Sequence, residues 1–461
     1  MKMASEQTTL SRDLTVGSVP KQLLLFAAPL LASGLLQTVY NMVDAIVVGQ
    51  VVGSGGLAAV SIGGDLLHTL TFVAMGFSNA GQVIISQFTG ARQPEKVRRV
   101  IGTLFTFLLA CSLAVMGLCL IFRNPLLRLL NTPAEAWEHT VAYITPCILG
   151  LVFIYGYNLV SAVLRGMGDS RHPFLFIAVA AVLNIVLDLL FVAVFHWGAF
   201  GAALATVMGQ ALSFILSLAF LYRRREQFGF DFKLSSFGIH RDVFAPLIRL
   251  GIPMVLQSAA VNFSRLFVNA NVNSYGVVAT AVSGIGGKLD TAINVFTASL
   301  STAGSSMIGQ NIGAEKYDRV PRVIGASFLF DAVVCDTLSV LLVLFPRAVF
   351  GLFSSEPETL TMAMTYVPVA VLNFVSCIAR APMISLINGS GNSRLNLAVA
   401  LLDGVIARIG LSMLLGETVG MGVYGYWYGC ALAGFVPFFI GGTYYLSGKW
   451  RTRRYVIREE K

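Results

Sequence analysis

The side chains best suited to chemistry in this chain are acids and amides set in runs that are otherwise wholly apolar. In Leu183-Asn184-Ile185-Val186-Leu187-Asp188, an amide and a carboxylate stand four residues apart, which puts both on one face of a helix. Two oxygen-bearing side chains one turn apart in a dry helix supply part of a shell for a hard cation, and the hydroxyl of Thr206 can add to it. Asp44, at the end of Tyr40-Asn41-Met42-Val43-Asp44, offers a second carboxylate. If Asp44 and Asp188 face one cavity, their mutual repulsion and lost hydration make the pair a site for either a proton or Na⁺.

Five more acids sit in apolar runs: Asp65, Asp290, Asp331, Asp336 and Asp403. An ionised side chain at bilayer depth costs roughly 3 kcal/mol, so each needs a partner or a role. Pairing inside the bundle, as between Asp403 and Arg408, is the expectation for most of them. Pro29, on the same run as Asp44, removes an intrahelical hydrogen bond and marks a place where that helix can bend.

These residues must be held by helices in lipid. Of 461 residues, 56% are apolar and 12% charged, a composition outside the range of ordinary soluble domains. Crossing the hydrocarbon core takes roughly 20 apolar residues. Runs of that length lie near 21–48, 57–86, 100–122, 138–163, 173–195 and 199–222, then near 244–273, 277–309, 323–345, 359–387, 395–416 and 420–446. The expected fold is therefore an all-α integral membrane protein of 12 transmembrane helices. The polar first 20 residues show no cleavage site, so the first span is expected to be retained. The six cysteines all fall in apolar runs without the spacing of a disulfide framework or a zinc site, and read as small core residues.

The net charge of +9 invites a nucleic-acid reading, but the charges sit on one side. With twelve spans, 25 of the 32 Lys and Arg residues fall in the termini and loops of one face. Arg123, Arg128 and Arg347 occupy the other, and Arg265, Lys288, Arg380 and Arg408 lie inside spans. That asymmetry orients both termini to the cytoplasm and removes the need for a nucleic-acid partner.

An internal repeat at an offset of 223 residues organises the spans. Ile62-Gly63-Gly64 returns as Ile285-Gly286-Gly287, Gln87, Gly90 and Ala91 as Gln310, Gly313 and Ala314, and Gly166-Met167-Gly168-Asp169-Ser170-Arg171 as Gly389-Ser390-Gly391-Asn392-Ser393-Arg394. The expected organisation is an N-lobe over 1–222, a cytoplasmic linker over 223–241 and a C-lobe over 242–461 with a basic cytoplasmic tail. Two parallel six-helix halves commonly enclose a cleft that opens alternately to each side. The linker phenylalanines, Phe228, Phe230, Phe232 and Phe237, suit either a segment lying on the membrane surface or, by preference, a plain tether. No catalytic constellation appears: the five histidines are scattered, and neither H-E-x-x-H nor G-x-S-x-G occurs. A soluble or intramembrane enzyme is not expected.

With these residues assembled, the chain resembles the multidrug and toxic compound extrusion (MATE) family of secondary antiporters over nearly its whole length. The resemblance is carried by Pro29 and Asp44, Gln87-x-x-Gly90-Ala91, Arg165-Gly166-x-Gly168-Asp169-x-Arg171, Asn184-x-x-x-Asp188 and Thr206. It implies an acidic cation site in the N-terminal lobe at Asp44, Asn184, Asp188 and Thr206, with Tyr143 and Asn158 lining the same lobe. The branch of the family that binds its cation in the second lobe uses acids on helices 7 and 10, where this chain has none. Instead, helix 7 carries Asn262, Arg265 and Asn269 on one polar face, and helix 10 carries Asn373 and Arg380.

The resemblance further implies that Na⁺ or H⁺ neutralises the acidic site and displaces an organic, cationic drug held in a central cleft, the lobes then rocking between states. Tyr40, Tyr143, Asn158, Asn262 and Arg265 are candidates for the substrate cavity, and no cofactor beyond the coupling ion is expected. A monomer in a bacterial plasma membrane, with lipid and small-molecule drugs as its partners, completes the expectation. The alternatives are a flippase for a lipid-linked precursor, which the second-lobe cations keep open, and a membrane protein that transports nothing.

Overall fold

The computed structural model describes residues 13–451, and every regular element among them is helical. Twelve long helices follow the chain: α1 (Val19–Val51), α2 (Ser54–Gly90), α3 (Pro94–Ile121), α4 (Ala134–Leu149 continued by Leu151–Gly166), α5 (Arg171–Val194) and α6 (Gly198–Arg223), then α7 (Arg241–Asn273), α8 (Val277–Gly313), α9 (Arg319–Leu344), α10 (Pro357–Gly389), α11 (Ser393–Thr418) and α12 (Val423–Leu446). Ten are long and apolar enough to cross a membrane, and α4 makes an eleventh when its limbs, bent by 47° at Gly150, count as one span. The remaining helix, α8, has 37 residues but is diluted by Gly, Ser, Thr and Asn. It holds the repeat position of α2, also 37 residues long.

The described residues divide into two compact units. The first holds Ala32–Ile248, and the second holds Thr15–Leu31 with the chain from Arg249 on. The division within α1 thus falls just past Pro29, although α1 remains helical from Val19 to Val51. The segment before α1 is anchored in the second unit: Lys316 Nζ donates to the carbonyl and hydroxyl oxygens of Thr15 at 2.9 Å each, and Arg319 Nη1 donates to the Gly17 carbonyl at 3.0 Å. Lys2, Arg12 and the tail beyond Arg451, all counted in the charge asymmetry, lie outside the described residues.

Each unit repeats the other's turns and closest contacts. The short turns entering α2 and α8 place Gly53 and Gly276 at φ of 86° and 102°, a region that side chains with a Cβ rarely enter. A Cβ on Gly63 would stand 2.4 Å from Tyr143 Cδ1, and one on the repeat mate Gly286 would stand 2.3 Å from Tyr366 Oη. Tyr366 is in turn the repeat mate of Tyr143. Gly166 meets the carbonyl of Gln82, and Gly389 that of Ser305, both at 2.8 Å from the added Cβ. Because interiors pack at crystal-like density, such contacts fix how α2 lies on α4 and how α8 lies on α10.

The segment between α6 and α7 behaves neither as a tether nor as a surface-lying helix. Phe230 is fully buried, and the Phe105 ring on α3 packs against Phe230, Phe232 and Phe237 at 6.2, 6.5 and 5.7 Å. Thr106 Oγ1 donates to the Phe237 carbonyl at 2.8 Å, Thr103 Oγ1 donates to that of Gly238 at 3.2 Å, and Arg99 pairs with Asp242 at 3.2 Å. A Cβ on Gly102 would stand 2.0 Å from the Ser236 carbonyl oxygen. Four phenylalanines in a short polar stretch find more apolar area to bury against α3 than a free strap would offer. Asp231 in this segment accepts from the Ser236 hydroxyl, which holds its carboxyl below the usual carboxylate range.

Candidate functional site: a buried carboxylate cluster and a second-unit cavity

In the first unit, α1, α4, α5 and α6 bring together Asp44, Tyr143, Asn184, Asp188 and Thr206. Asp188 is fully buried, and Asn184 and Asp44 are 3% and 5% exposed. Asp44 interacts electrostatically with Asp188, and both carboxylates act on the Tyr143 phenol. Asn184 Nδ2 donates to Thr206 Oγ1 at 3.5 Å, a long bond across α5 and α6. Neither carboxylate oxygen of Asp188 has a hydrogen-bond partner among the described residues, nor does Asp44 Oδ1 or Asn184 Oδ1. Buried polar atoms are nearly always paired, so four orphaned oxygens in one neighbourhood are a standing demand for a cation, a proton or a bound water.

The local helix geometry supports that demand. Asp188 closes the α-helical part of α5, and the chain continues as a π-helical turn over Leu189–Val194. π turns recur at functional sites because they loosen the regular hydrogen-bond ladder. Among the described residues no group of three His, Cys, Asp or Glu side chains could hold a metal. The donor set is two carboxylates, an amide and a hydroxyl, all oxygen, which fits a hard monovalent cation or a proton rather than a transition metal.

Tyr40, Asn184, Thr206 and Gln210 also line a small pocket of about 10 Å³, the room of a single water-sized occupant. Asn158 is half-buried, and its amide donates to the Ile154 carbonyl one turn back at 2.8 Å.

In the second unit, Asn262 likewise spends its amide on its own helix, donating to the Ser258 carbonyl at 2.9 Å. Arg265 instead faces a cavity of about 430 Å³, whose walls include Asn269, Asp290, Tyr366, Asn373, Arg408 and Trp427. Asp290 accepts from Asn373 Nδ2 at 2.6 Å, and Asp403 accepts from Arg408 Nη2 at 2.9 Å, so these acids are paired as expected. Asp331 departs from that expectation: it is fully buried on α9, and neither of its oxygens has a partner among the described residues. Asp65 and Asp336 are exposed on their helices. The six cysteines are free, and four of them are buried.

A duplicated bundle of membrane-spanning helices, with unpaired acids buried in the interior of both halves, is the architecture of a polytopic membrane transporter. The MatE family model matches residues 29–190 and again 253–414. The chain belongs to the multidrug and toxic compound extrusion family. It is 31% identical to the probable multidrug resistance protein YoeA of Bacillus subtilis over 78% of this chain and 79% of that protein. A FAD transporter of Shewanella oneidensis is 26% identical over 71% and 73% of the two chains. In fold the chain is similar to an outward-facing MATE family transporter of the MOP superfamily, with a TM-score of 0.89 at 20% identity over 98% of this chain and all of that one. A MOP superfamily transporter from Pyrococcus furiosus superposes with a TM-score of 0.88 at 20% identity, over 96% and 99% of the chains.

Proposed function

We propose that this multidrug transporter is a secondary active antiporter, exchanging Na⁺ or H⁺ for organic drugs by alternating access, with coupling at Asp44, Asn184, Asp188 and Thr206. The observation that carries the reading is the pair of partnerless Asp188 oxygens beside Asp44. An ion shifts the balance between the two states of the transporter by its differential affinity for them, and its gradient then drives the cycle. Occupation of the cluster offsets the burial of two carboxylates, so the ion-filled and empty forms favour different packings of α1 against α5. Pro29 gives α1 a point at which to bend.

The relatives named for multidrug resistance support drugs as cargo. The basic loops of one face support cytoplasmic termini, and we assign the working unit as a monomer in a bacterial plasma membrane. The test is transport by Asp188→Asn in proteoliposomes under separate Na⁺ and proton gradients. Ion-driven efflux should be lost with expression intact, and efflux at the wild-type rate would remove Asp188 from the coupling site.

A further inference from the structure

The second-unit cavity is not needed for the coupling chemistry, yet its size falls in the range of small-molecule sites. Two arginines line it, Arg265 and Arg408, against one carboxylate, Asp290. Asp290 is already engaged by Asn373. Arg408 is 2% exposed and gives Nη2 to Asp403 and Nη1 to Cys430 Sγ at 3.1 Å, while its Nε is buried without a partner. Arg380, nearby, gives Nη2 to Asn294 Oδ1 at 2.6 Å.

Arg265 has no hydrogen bond or ion pair among the described residues. Its foremost charged neighbour is the like-charged Arg408, with Arg380 adding a second repulsion, and the attraction of Asp290 ranks below both. Arg265, unpaired in a low-dielectric wall beside a second guanidinium whose charge is shared with Asp403, is poorly placed for a cationic guest and well placed for an anion lying between the two arginines. Guanidinium forks match carboxylate and phosphate oxygens in geometry as well as charge. The same cavity presents Tyr366 and Trp427, packed edge to face at 4.9 Å, with Val268 and Val369.

We propose that this cavity is a binding site for an amphipathic organic anion, whose carboxylate or phosphate group lies between Arg265 and Arg408 and whose apolar body rests on Tyr366 and Trp427. The proposal builds on the transporter reading and departs from the cationic cargo that family resemblance implies. The repeat mates of Arg265 and Arg408 in the first unit are the uncharged Met42 and Ile185.

Two pairs of probes that differ in one charged group test it: flavin mononucleotide against riboflavin, and 2-naphthoate against 2-naphthalenemethanol. Binding is measured by equilibrium dialysis against the purified full-length protein in detergent. The wild type should hold the anionic member of each pair about 10- to 100-fold tighter, the worth of a charge-assisted hydrogen-bonded contact. Arg265→Gln should bring the ratio toward unity, and Arg265→Lys should restore part of it. Because Arg265 supports no other bond, a melting curve should show both variants folded. A wild type that discriminates in neither pair, or a preference that survives Arg265→Gln, overturns the site. Dialysis needs no ion gradient, so this outcome is independent of whether Asp188→Asn loses antiport.

Discussion

Replacing Asp188 with Asn should make the protein more stable while it stops ion-driven transport. In the wild type both carboxylate oxygens are buried without partners, and an unsatisfied buried polar group costs about 1–3 kcal/mol. Asn keeps the volume and leaves a buried amide in need of partners, but it removes the charge, whose desolvation costs more than that of a neutral group, so at pH 9 in sodium-free choline buffer the variant should gain about 1–3 kcal/mol. For a cooperative unit of this size each kcal/mol moves the melting point by about 2–4 °C, giving a rise of several degrees. The four buried cysteines provide the assay, since a thiol-reactive dye reports their exposure on heating.

Sodium should stabilise the wild type alone if it is the coupling ion. At ten times its dissociation constant, the gain is about 1.4 kcal/mol, which narrows the gap to Asp188→Asn. No narrowing assigns the coupling to the proton instead. A variant that melts at or below the wild type in sodium-free buffer would refute the reasoning, because the buried carboxylate would then carry no net cost for the substitution to relieve.

Three further outcomes follow from the packing. Gly63→Ala and Gly286→Ala drive a Cβ into Tyr143 and Tyr366 and should each destabilise by about 1–3 kcal/mol; adding Tyr143→Leu should relieve the first, as read by melting. Asp403→Ala strands the buried Arg408 charge and should cost about 3–5 kcal/mol, whereas the double change Asp403→Leu with Arg408→Met should recover most of it. Gly102→Val should detach the 223–241 segment from α3 and speed trypsin cleavage at Arg223–Arg225. Gly117→Val on the same helix, where an added Cβ meets nothing within 4 Å, should not.

Span positions were readable in the sequence because length and apolarity in lipid leave few alternatives to a helix. The observed ends differ from the apolar runs by four residues or fewer, except at the start of α3, where a polar first turn carries the helix six residues beyond the lipid-matched stretch. The 223-residue repeat was readable for a different reason: glycines at tight contacts tolerate no substitute, so Gly63 and Gly286 keep their register.

The bend of α4 at Gly150 gave no such signal, since its repeat mate is Asn373 in the unbroken α10. The burial of Phe230 and Phe237 on α3 was likewise hidden, because aromatic content alone does not say which surface will cover it. For the polar residues, spacing put Asn184 and Asp188 on one face and Arg408 beside Asp403, but the orphaning of Asp331 shows only in three dimensions. Arg408 as a wall of the second-unit cavity, together with Trp427, could not be read from any local pattern, as its neighbours come from four helices.

The Gly63–Tyr143 and Gly286–Tyr366 contacts have a bearing on how this protein can be altered. They tie the steric frame of the two units to one template, yet two charges within the spans answer to no such tie: Asp188 stands opposite Leu411, and Arg265 opposite Met42, in the repeat. The charges at Asp188 and Arg265 are therefore each present in a single copy on a scaffold present in two. A substitution at Asp188 or at Arg265 changes one half without altering its mate, and the uncharged mate of each position is a vacant address at which a new charge can be installed without displacing an old one.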